Sequence, residues 1–272
     1  MSRGNIDTVF AGSIPKLYQT HLVPLIFEPY AVEVAARVAS LRPARVLEIA
    51  AGTGVVTRHL ASALPADASI VATDLNPAML TQAMEIGTRR NVTWREADAM
   101  RLPFDDAAFD VVVCQFGAMF FPDRAKAYSE ARRVLRDGGS YVFSVWDRIE
   151  NNEFADVTTR ALAAMFPDDP PRFLARTPHG YHEQARIASD LVHGGFSSPP
   201  TFSTVTARSR AESSRIPAIA YCQGTPLRGE IEARAAERLA EATDVAAKAI
   251  AARFGSGPVD GKIQAHIVVV DR

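Results

Sequence analysis

One stretch, Arg45 to Leu60, reading RVLEIAAGTGVVTRHL, constrains this chain more than any other. Val46, Leu47, Glu48 and Ile49 have the length and apolar, β-branched content of a strand, and Gly52-Thr53-Gly54 turns that strand sharply into a helix. Glycines in such a turn adopt backbone angles that a Cβ would forbid, and they let a ligand approach the main chain closely. The following helix directs unsatisfied N–H groups and a positive dipole end at the loop, which favours a carboxylate or phosphate there. By geometry this is a nucleotide-cofactor site. A bare strand-to-helix turn is the alternative, since such loops occur in many unrelated proteins.

The following segments repeat the arrangement. A second apolar run, Ser69 to Thr73, ends at Asp74, about twenty residues beyond the glycines, where an α/β fold places an acid able to hold ribose hydroxyls. Asp74 also suits the start of a helix ahead of Pro77, a role compatible with ribose binding. A third run, Asn91 to Arg95, leads to Glu96-Ala97-Asp98-Ala99, and a fourth, Phe109 to Cys114, leads to Gln115-Phe116. Four strand ends then point to one cleft.

The segments VLEIAAGTG, VATDLNPAML, EADAMRLPFDDAAFDVVVCQF and EARRVLRDGGSYVF together resemble the successive motifs of class I S-adenosylmethionine-dependent methyltransferases, nearest to the small-molecule group that includes quinone C-methyltransferases. The resemblance covers residues 45–146, and more loosely Gly195-Phe196 and the final strand. It implies a Rossmann-like fold: a seven-stranded, mostly parallel sheet with helices on both faces, plus helical cap insertions. It implies S-adenosyl-L-methionine as cofactor, S-adenosyl-L-homocysteine as product, and a small-molecule acceptor offering oxygen, nitrogen or carbon; the apolar bulk of the inserted segments would suit one of aromatic, quinone-like or lipid-like character.

Carried over residue by residue, the resemblance assigns Ala50, Ala51, Gly52, Thr53 and Gly54 to the methionine and ribose region of the cofactor. Glu48 supports the loop or meets the amino end, Asp74 takes the ribose hydroxyls, and Leu75 and Met79 line the adenine. Asp98 accepts from the adenine amine, Ala99 offers a backbone N–H to a ring nitrogen, and Gln115 and Phe116 flank the transferable methyl. Tyr18, in the segment before the first core helix, resembles a lid residue. Each has a plainer role open to it: Glu48 as a network acid, Met79 as a core filler, Asp98 as a turn former, Tyr18 as a core aromatic. Family members usually carry glycine where this chain has Ala50, and the expectation is altered packing with binding retained.

The 272 residues suffice for one large α/β domain or a core with a subdomain. The expected organisation is an N-terminal covering segment and first helix over 1–44, a cofactor-binding core over 45–147, and the C-terminal half of the core over 148–272, with cap or lid insertions near 148–180 and 208–257. Pro15 and Pro24 are expected to interrupt any long helix before Pro29, and Gly138-Gly139 to end a helix that Asp123 caps. In the insertions Phe166, Phe173, Tyr181, Ile216, Ile219 and Tyr221 supply apolar bulk, either as acceptor lining or as subdomain core.

A net charge of −1 gives no global field to attract nucleic acid or an anionic membrane. Cys114 and Cys222 offer neither a disulfide framework nor metal-ligand spacing, and no metal is expected. The absence of an apolar signal core and of a run of ~20 apolar residues points to a cytoplasmic protein, with a homo-oligomer left open.

Methyl transfer displaces a good leaving group directly, so the protein contributes mainly by orientation. An oxygen or activated carbon nucleophile can still need a base, and histidine titrates nearest neutrality. The candidate bases are His21, near the N-terminal cover, and His182, in the expected cap, with His179 in the same cap as a further candidate; His59, His193 and His266 rank lower. Three rival readings stay open. Gly52-x-Gly54 with Asp74 partly mimics the fingerprint of an NAD(P)-dependent oxidoreductase, although Thr57 stands at the third glycine position. A non-catalytic cofactor-binding module is the second. A nucleic-acid methyltransferase is the third, disfavoured because Cys114-Gln115-Phe116-Gly117 replaces the Asn/Asp-Pro-Pro-aromatic motif usual in amino methylation of DNA bases.

Overall fold

A computed structural model describes Asp7, Phe10 and residues 12–272. The chain opens with α1 (Ile14–Leu17), a π-helix (Tyr18–Phe27) and α2 (Glu28–Ser40), followed by β1 (Arg45–Glu48), α3 (Val55–Ala63), β2 (Ser69–Asp74), α4 (Pro77–Ile86) and β3 (Thr93–Glu96). β4 (Phe109–Gln115), α5 (Arg124–Val134), β5 (Leu135–Trp146), α6 (Glu153–Met165), α7 (Phe173–Arg176) and α8 (Gln184–His193) come next. The chain closes with β6 (Thr201–Ala211), α9 (Arg215–Gln223), α10 (Leu227–Ala235), α11 (Leu239–Phe254) and β7 (Val259–Asp271).

The seven strands form one sheet in the order β3-β2-β1-β4-β5-β7-β6. β1 to β5 pair in parallel, with Val46 opposite Ile70 on one side and Val111 on the other. β7 runs against β6, since Thr204 Oγ1 meets His266 Nδ1 at 2.9 Å and Thr206 Oγ1 donates to Gln264 Oε1 at 2.9 Å. The sheet is therefore the expected mostly parallel one. Strand order reverses between β1 and β4, and at such a switch point two neighbouring loops leave the carboxyl edge in opposite directions and open a crevice.

The chain divides into two compact units. One, made of Pro29–Val145, Tyr181–Val205 and Ala265–Arg272, holds the parallel strands. Local chemistry fixes its helix starts. Pro77 stands in the first turn of α4, and Asp123 caps α5 by accepting the Lys126 N–H at 2.9 Å. Val46, Leu47, Val111, Val112 and Val113 are buried, as parallel strands covered on both faces require. Asp110 accepts the N–H groups of Ala44 and Arg45 at 2.6 and 2.8 Å, tying the start of β1 to β4.

The Gly138-Gly139 pair departs from expectation. α5 ends at Val134, and the glycines lie inside β5, where the pairing with β4 jumps from Phe109↔Leu135 to Val111↔Ser140. They form a bulge. A Cβ on Gly139 would stand 2.8 Å from the Asp110 carbonyl oxygen, so only glycine lets the extra residues fold against β4.

The second unit is formed by the described residues up to Glu28, with Trp146–Gly180 and Thr206–Gln264. Its helical core includes Phe154 packed edge-on to Phe254 at 5.0 Å, with Phe173, Tyr221 and Ile250 buried. Pro15 and Pro24 do not interrupt the N-terminal helix, contrary to the sequence expectation. α1, the π-helix and α2 follow without a break, and Glu28 donates its N–H to Val23, five residues back. Pro24 lacks an N–H, and the wider π turn accommodates it. Among the described residues, no helix is long and apolar enough to cross a membrane.

Candidate functional site

The strand ends β1, β2 and β4 bring Glu48, Asp74 and Gln115 to the carboxyl edge of the sheet. Between β1 and α3 the loop takes left-handed backbone angles at Ala50 (φ 54°), Gly52 (φ 57°) and Gly54 (φ 79°). Gly54 has a further reason to be glycine, because a Cβ there would stand 2.8 Å from Cη2 of Trp94 on β3.

Asp74 braces this loop. Its Oδ2 accepts the Gly52 N–H at 2.8 Å and its Oδ1 accepts the Asn76 N–H at 2.8 Å, while Ala51 donates its own N–H to the Thr73 carbonyl at 2.9 Å. The carboxyl is raised above its ordinary range by burial, against the pull of the N–H groups of Asn76, Gly52 and Leu75. Each carboxylate oxygen retains a second lone-pair direction for a further donor.

Glu48 is 2% exposed, and its Oε2 accepts from Thr57 Oγ1 at 2.6 Å. Burial pushes its carboxyl up to about 8, only partly offset by the Thr57 hydrogen bond and the nearby Arg58 charge. Because the folded-state value lies above the unfolded one, the protonated acid favours the folded state. That contribution is fully present below about 4.5 and is lost as pH rises through about 8. Wild-type melting temperature is therefore expected to fall relative to Glu48→Gln between pH 5 and pH 9. Parallel curves in a thermal-shift series would show that Glu48 does not titrate in this way.

The loops after β1 and β4 meet at the switch point. Gly117 lies so close that a Cβ would stand 2.5 Å from the Ala50 Cβ and 2.7 Å from Cys114 Sγ. Phe116, at φ 54°, donates its N–H to the Ser144 carbonyl at 3.1 Å and stands edge-on to Tyr30 at 5.4 Å. Beyond β3, Asp98 shapes a turn, its Oδ1 accepting the Met100 N–H at 2.8 Å, with Ala99 next to it. Leu75 is 52% exposed, whereas Met79 is 3% exposed and sits in the core.

The structure thus assembles Glu48, Ala50 to Gly54, Asp74, Leu75, Asp98, Ala99, Gln115 and Phe116 in one unit, with Met79 beneath them. His182, half-buried in the segment ahead of α8, belongs to the same unit; Tyr18 and His21, on the π-helix, belong to the other. Of the bulky insertion residues, Phe173, Tyr181 and Tyr221 are buried in the cores, while Phe166, Ile216 and Ile219 are half-buried. Sequence reasoning missed Thr57, Arg58, Trp94 and Gly117. The only available signal was a glycine two residues past the β4 strand end.

Comparison with known proteins decides the class. A family described as a methyltransferase domain matches residues 47–143. The ubiquinone/menaquinone biosynthesis C-methyltransferase UbiE of Ectopseudomonas mendocina is 31% identical over 205 residues, 70% of this chain and 75% of that protein. The chain belongs to the class I S-adenosylmethionine-dependent methyltransferases. This methyltransferase is also 28% identical over 204 residues to the malonyl-(acyl-carrier protein) O-methyltransferase of Geobacter sulfurreducens, covering 74% of this chain and 69% of that protein. Its fold matches a phosphoethanolamine N-methyltransferase of Haemonchus contortus with a TM-score of 0.61 at 17% identity, over 100% of this chain and 61% of that chain. Membership sets aside the oxidoreductase reading, and S-adenosylmethionine is the cofactor of the enzyme.

The loop fits such a cofactor. Thr53 Oγ1 is buried without a hydrogen-bond partner among the described residues, and a half-exposed Leu75 leaves apolar surface beside the Asp74 carboxylate. An orphaned hydroxyl, a carboxylate with spare lone pairs and an apolar face are the groups that a ribose and a purine would use.

Proposed function

We propose that this methyltransferase holds S-adenosylmethionine on the loop from Ala50 to Gly54 and transfers its methyl group to a small aromatic, quinone-like or lipid-like acceptor. The observation that carries the site is the Asp74 carboxylate bound to the Gly52 N–H, which rigidifies the loop where the strand order reverses. In this reading Asp74 receives the ribose hydroxyls, Leu75 and Met79 line the adenine, and Asp98 and Ala99 meet its edge. Glu48 faces the amino end, and Gln115 and Phe116 border the methyl. Tyr18 acts as a lid residue, and segments 148–180 and 208–257 serve as caps on acceptor entry.

Bound cofactor supplies an electrophilic methyl on a sulfonium; the chain contributes orientation and the removal of a proton. The acceptor class is supported by the relatives, whose names specify ubiquinone and menaquinone biosynthesis and malonyl-(acyl-carrier protein) O-methylation, and by the near-neutral charge of the chain. Nucleic acid is not the expected partner, and the enzyme works in the cytoplasm, alone or as a homo-oligomer.

Calorimetric titration with S-adenosylhomocysteine, with NADH as control ligand, tests the cofactor site. Binding of the first and not of the second is expected; no binding of S-adenosylhomocysteine would sink the assignment. With an acceptor in hand, His21→Ala and His182→Ala are expected to lower turnover more than S-adenosylhomocysteine affinity. Unchanged turnover in both variants removes these two histidines as bases.

A further inference from the structure

Arg124, Arg186 and Tyr181 form a cluster in the unit that carries the cofactor loop. The guanidinium carbon of Arg124 stands 4.1 Å from the centre of the Tyr181 ring, and that of Arg186 stands 5.6 Å from the same centre. Arg124 opens α5, the helix that follows the β4 end bearing Gln115 and Phe116, so it lies at the carboxyl edge of the sheet. Its Nη2 donates to the Met119 carbonyl at 3.1 Å, and Phe120 donates its N–H at 2.9 Å to the carbonyl of Gly117, the residue that abuts Ala50. A short path of contacts thus joins this guanidinium to the loop from Ala50 to Gly54.

Among the described residues, neither guanidinium meets a carboxylate, and Arg124 Nε is buried without a hydrogen-bond partner. On the same helix, by contrast, Lys126 and Arg133 both pair with Glu130, at 3.7 and 2.9 Å. The carboxylate that the cluster does contain, Asp190, accepts from the Tyr181 hydroxyl at 2.8 Å, and the Tyr128 hydroxyl lies 3.2 Å behind it. Burial raises both phenols above their ordinary range, so the rings stay neutral and supply no counter-charge. Both cations also oppose a helix dipole. Arg124 is the first residue of α5 and Arg186 the third of α8, where the positive helix end disfavours a cation. Two like charges so placed act against the fold unless an anion joins them, and a planar guanidinium suits carboxylate or phosphate, which it can meet through two N–H groups at once.

We infer that Arg124 and Arg186 hold an anionic group, a carboxylate or a phosphate, carried by the methyl acceptor. This rests on the methyltransferase reading above and narrows its acceptor class to acids. Tyr181 is the platform of the site. Its ring sets the plane of the Arg124 guanidinium, and its hydroxyl, held between Tyr128 and Asp190, fixes the ring. An acceptor tethered by its acidic end is brought to the loop after β4, and orientation is what displacement of a sulfonium methyl requires of the chain.

The test is calorimetry of the full chain with saturating S-adenosylhomocysteine, using benzoate and phenyl phosphate as probes and benzamide as their neutral counterpart. Wild type is expected to bind at least one anion about tenfold or more tightly than benzamide, and the tighter of the two tells carboxylate from phosphate. Arg124→Gln and Arg186→Gln should each reduce that preference about threefold or more, and the double variant should bring it to within about twofold. Because Arg186 opposes the α8 dipole, Arg186→Gln should melt no lower than wild type; a lower melting temperature would mark the arginine as structural and count against the inference. A preference retained in the double variant overturns it, as does a wild type that binds S-adenosylhomocysteine but neither anion. Failure to bind S-adenosylhomocysteine at all would instead count against the cofactor reading. Nitrogen NMR of wild type avoids any folding defect in the variants: the bound anion should move the Arg124 Nε resonance and benzamide should not, and equal responses would overturn the inference.

Discussion

Replacing Asp74 with alanine is expected to weaken S-adenosylhomocysteine binding by about a hundredfold or more, equivalent to ~2.7 kcal/mol. Two losses combine. The carboxylate that would take the ribose hydroxyls is removed, and the Gly52 and Asn76 N–H groups lose the acceptor that each now meets at 2.8 Å. An unsatisfied buried donor costs about 1–3 kcal/mol, so the variant should also melt at a lower temperature. Asp74→Asn separates the two effects. It retains one acceptor oxygen and should keep part of the stability, while affinity falls in proportion to the lost charge. If calorimetry finds Asp74→Ala binding as tightly as wild type, the loop does not hold the cofactor.

The second large effect is at the junction of the two switch-point loops. Gly117→Ala places a methyl 2.5 Å from the Ala50 Cβ and 2.7 Å from Cys114 Sγ, closer than side-chain carbons and sulfur can approach. Overpacking of this kind costs about 1–3 kcal/mol, which for a protein of this size lowers the melting temperature by roughly 2–10 °C. The displaced β1 loop should bind S-adenosylhomocysteine correspondingly more weakly. Ala50→Gly removes one of the two clashes and also relieves a non-glycine residue held at φ 54°. The double variant should therefore recover about half of the loss, the Cys114 contact remaining. A coupling of ~1 kcal/mol in this double-mutant cycle is the expected reading, and strictly additive effects would show that the loops do not press on one another.

The same pair explains how Ala50 is tolerated. A left-handed angle normally selects glycine, and the methyl at Ala50 fits because the facing residue, Gly117, has none. The expectation of altered packing at Ala50 thus acquires a partner sixty-seven positions away, which no reading of the β1 loop could have supplied.

What the sequence alone determined is what short-range chemistry decides. The strand from Val46, the glycine turn, the Pro77 start of α4 and the Asp123 cap of α5 each depend on a few neighbouring residues, and each lies where the residues predicted it. The motif spacing further implied a parallel sheet whose strand ends collect Glu48, Asp74 and Gln115. Tertiary structure alone decided the rest. Gly138-Gly139 read as a helix stop, but the Asp110 carbonyl turns them into a bulge. Pro24 read as a break, but a π turn carries the helix through it. Asp74 read as a ligand group, but its oxygens also brace Gly52 and Asn76. The physical reason is common to these cases. Propensity and capping act over one or two turns, whereas hydrogen-bond satisfaction and steric exclusion are set by whichever distant segment folds against the residue.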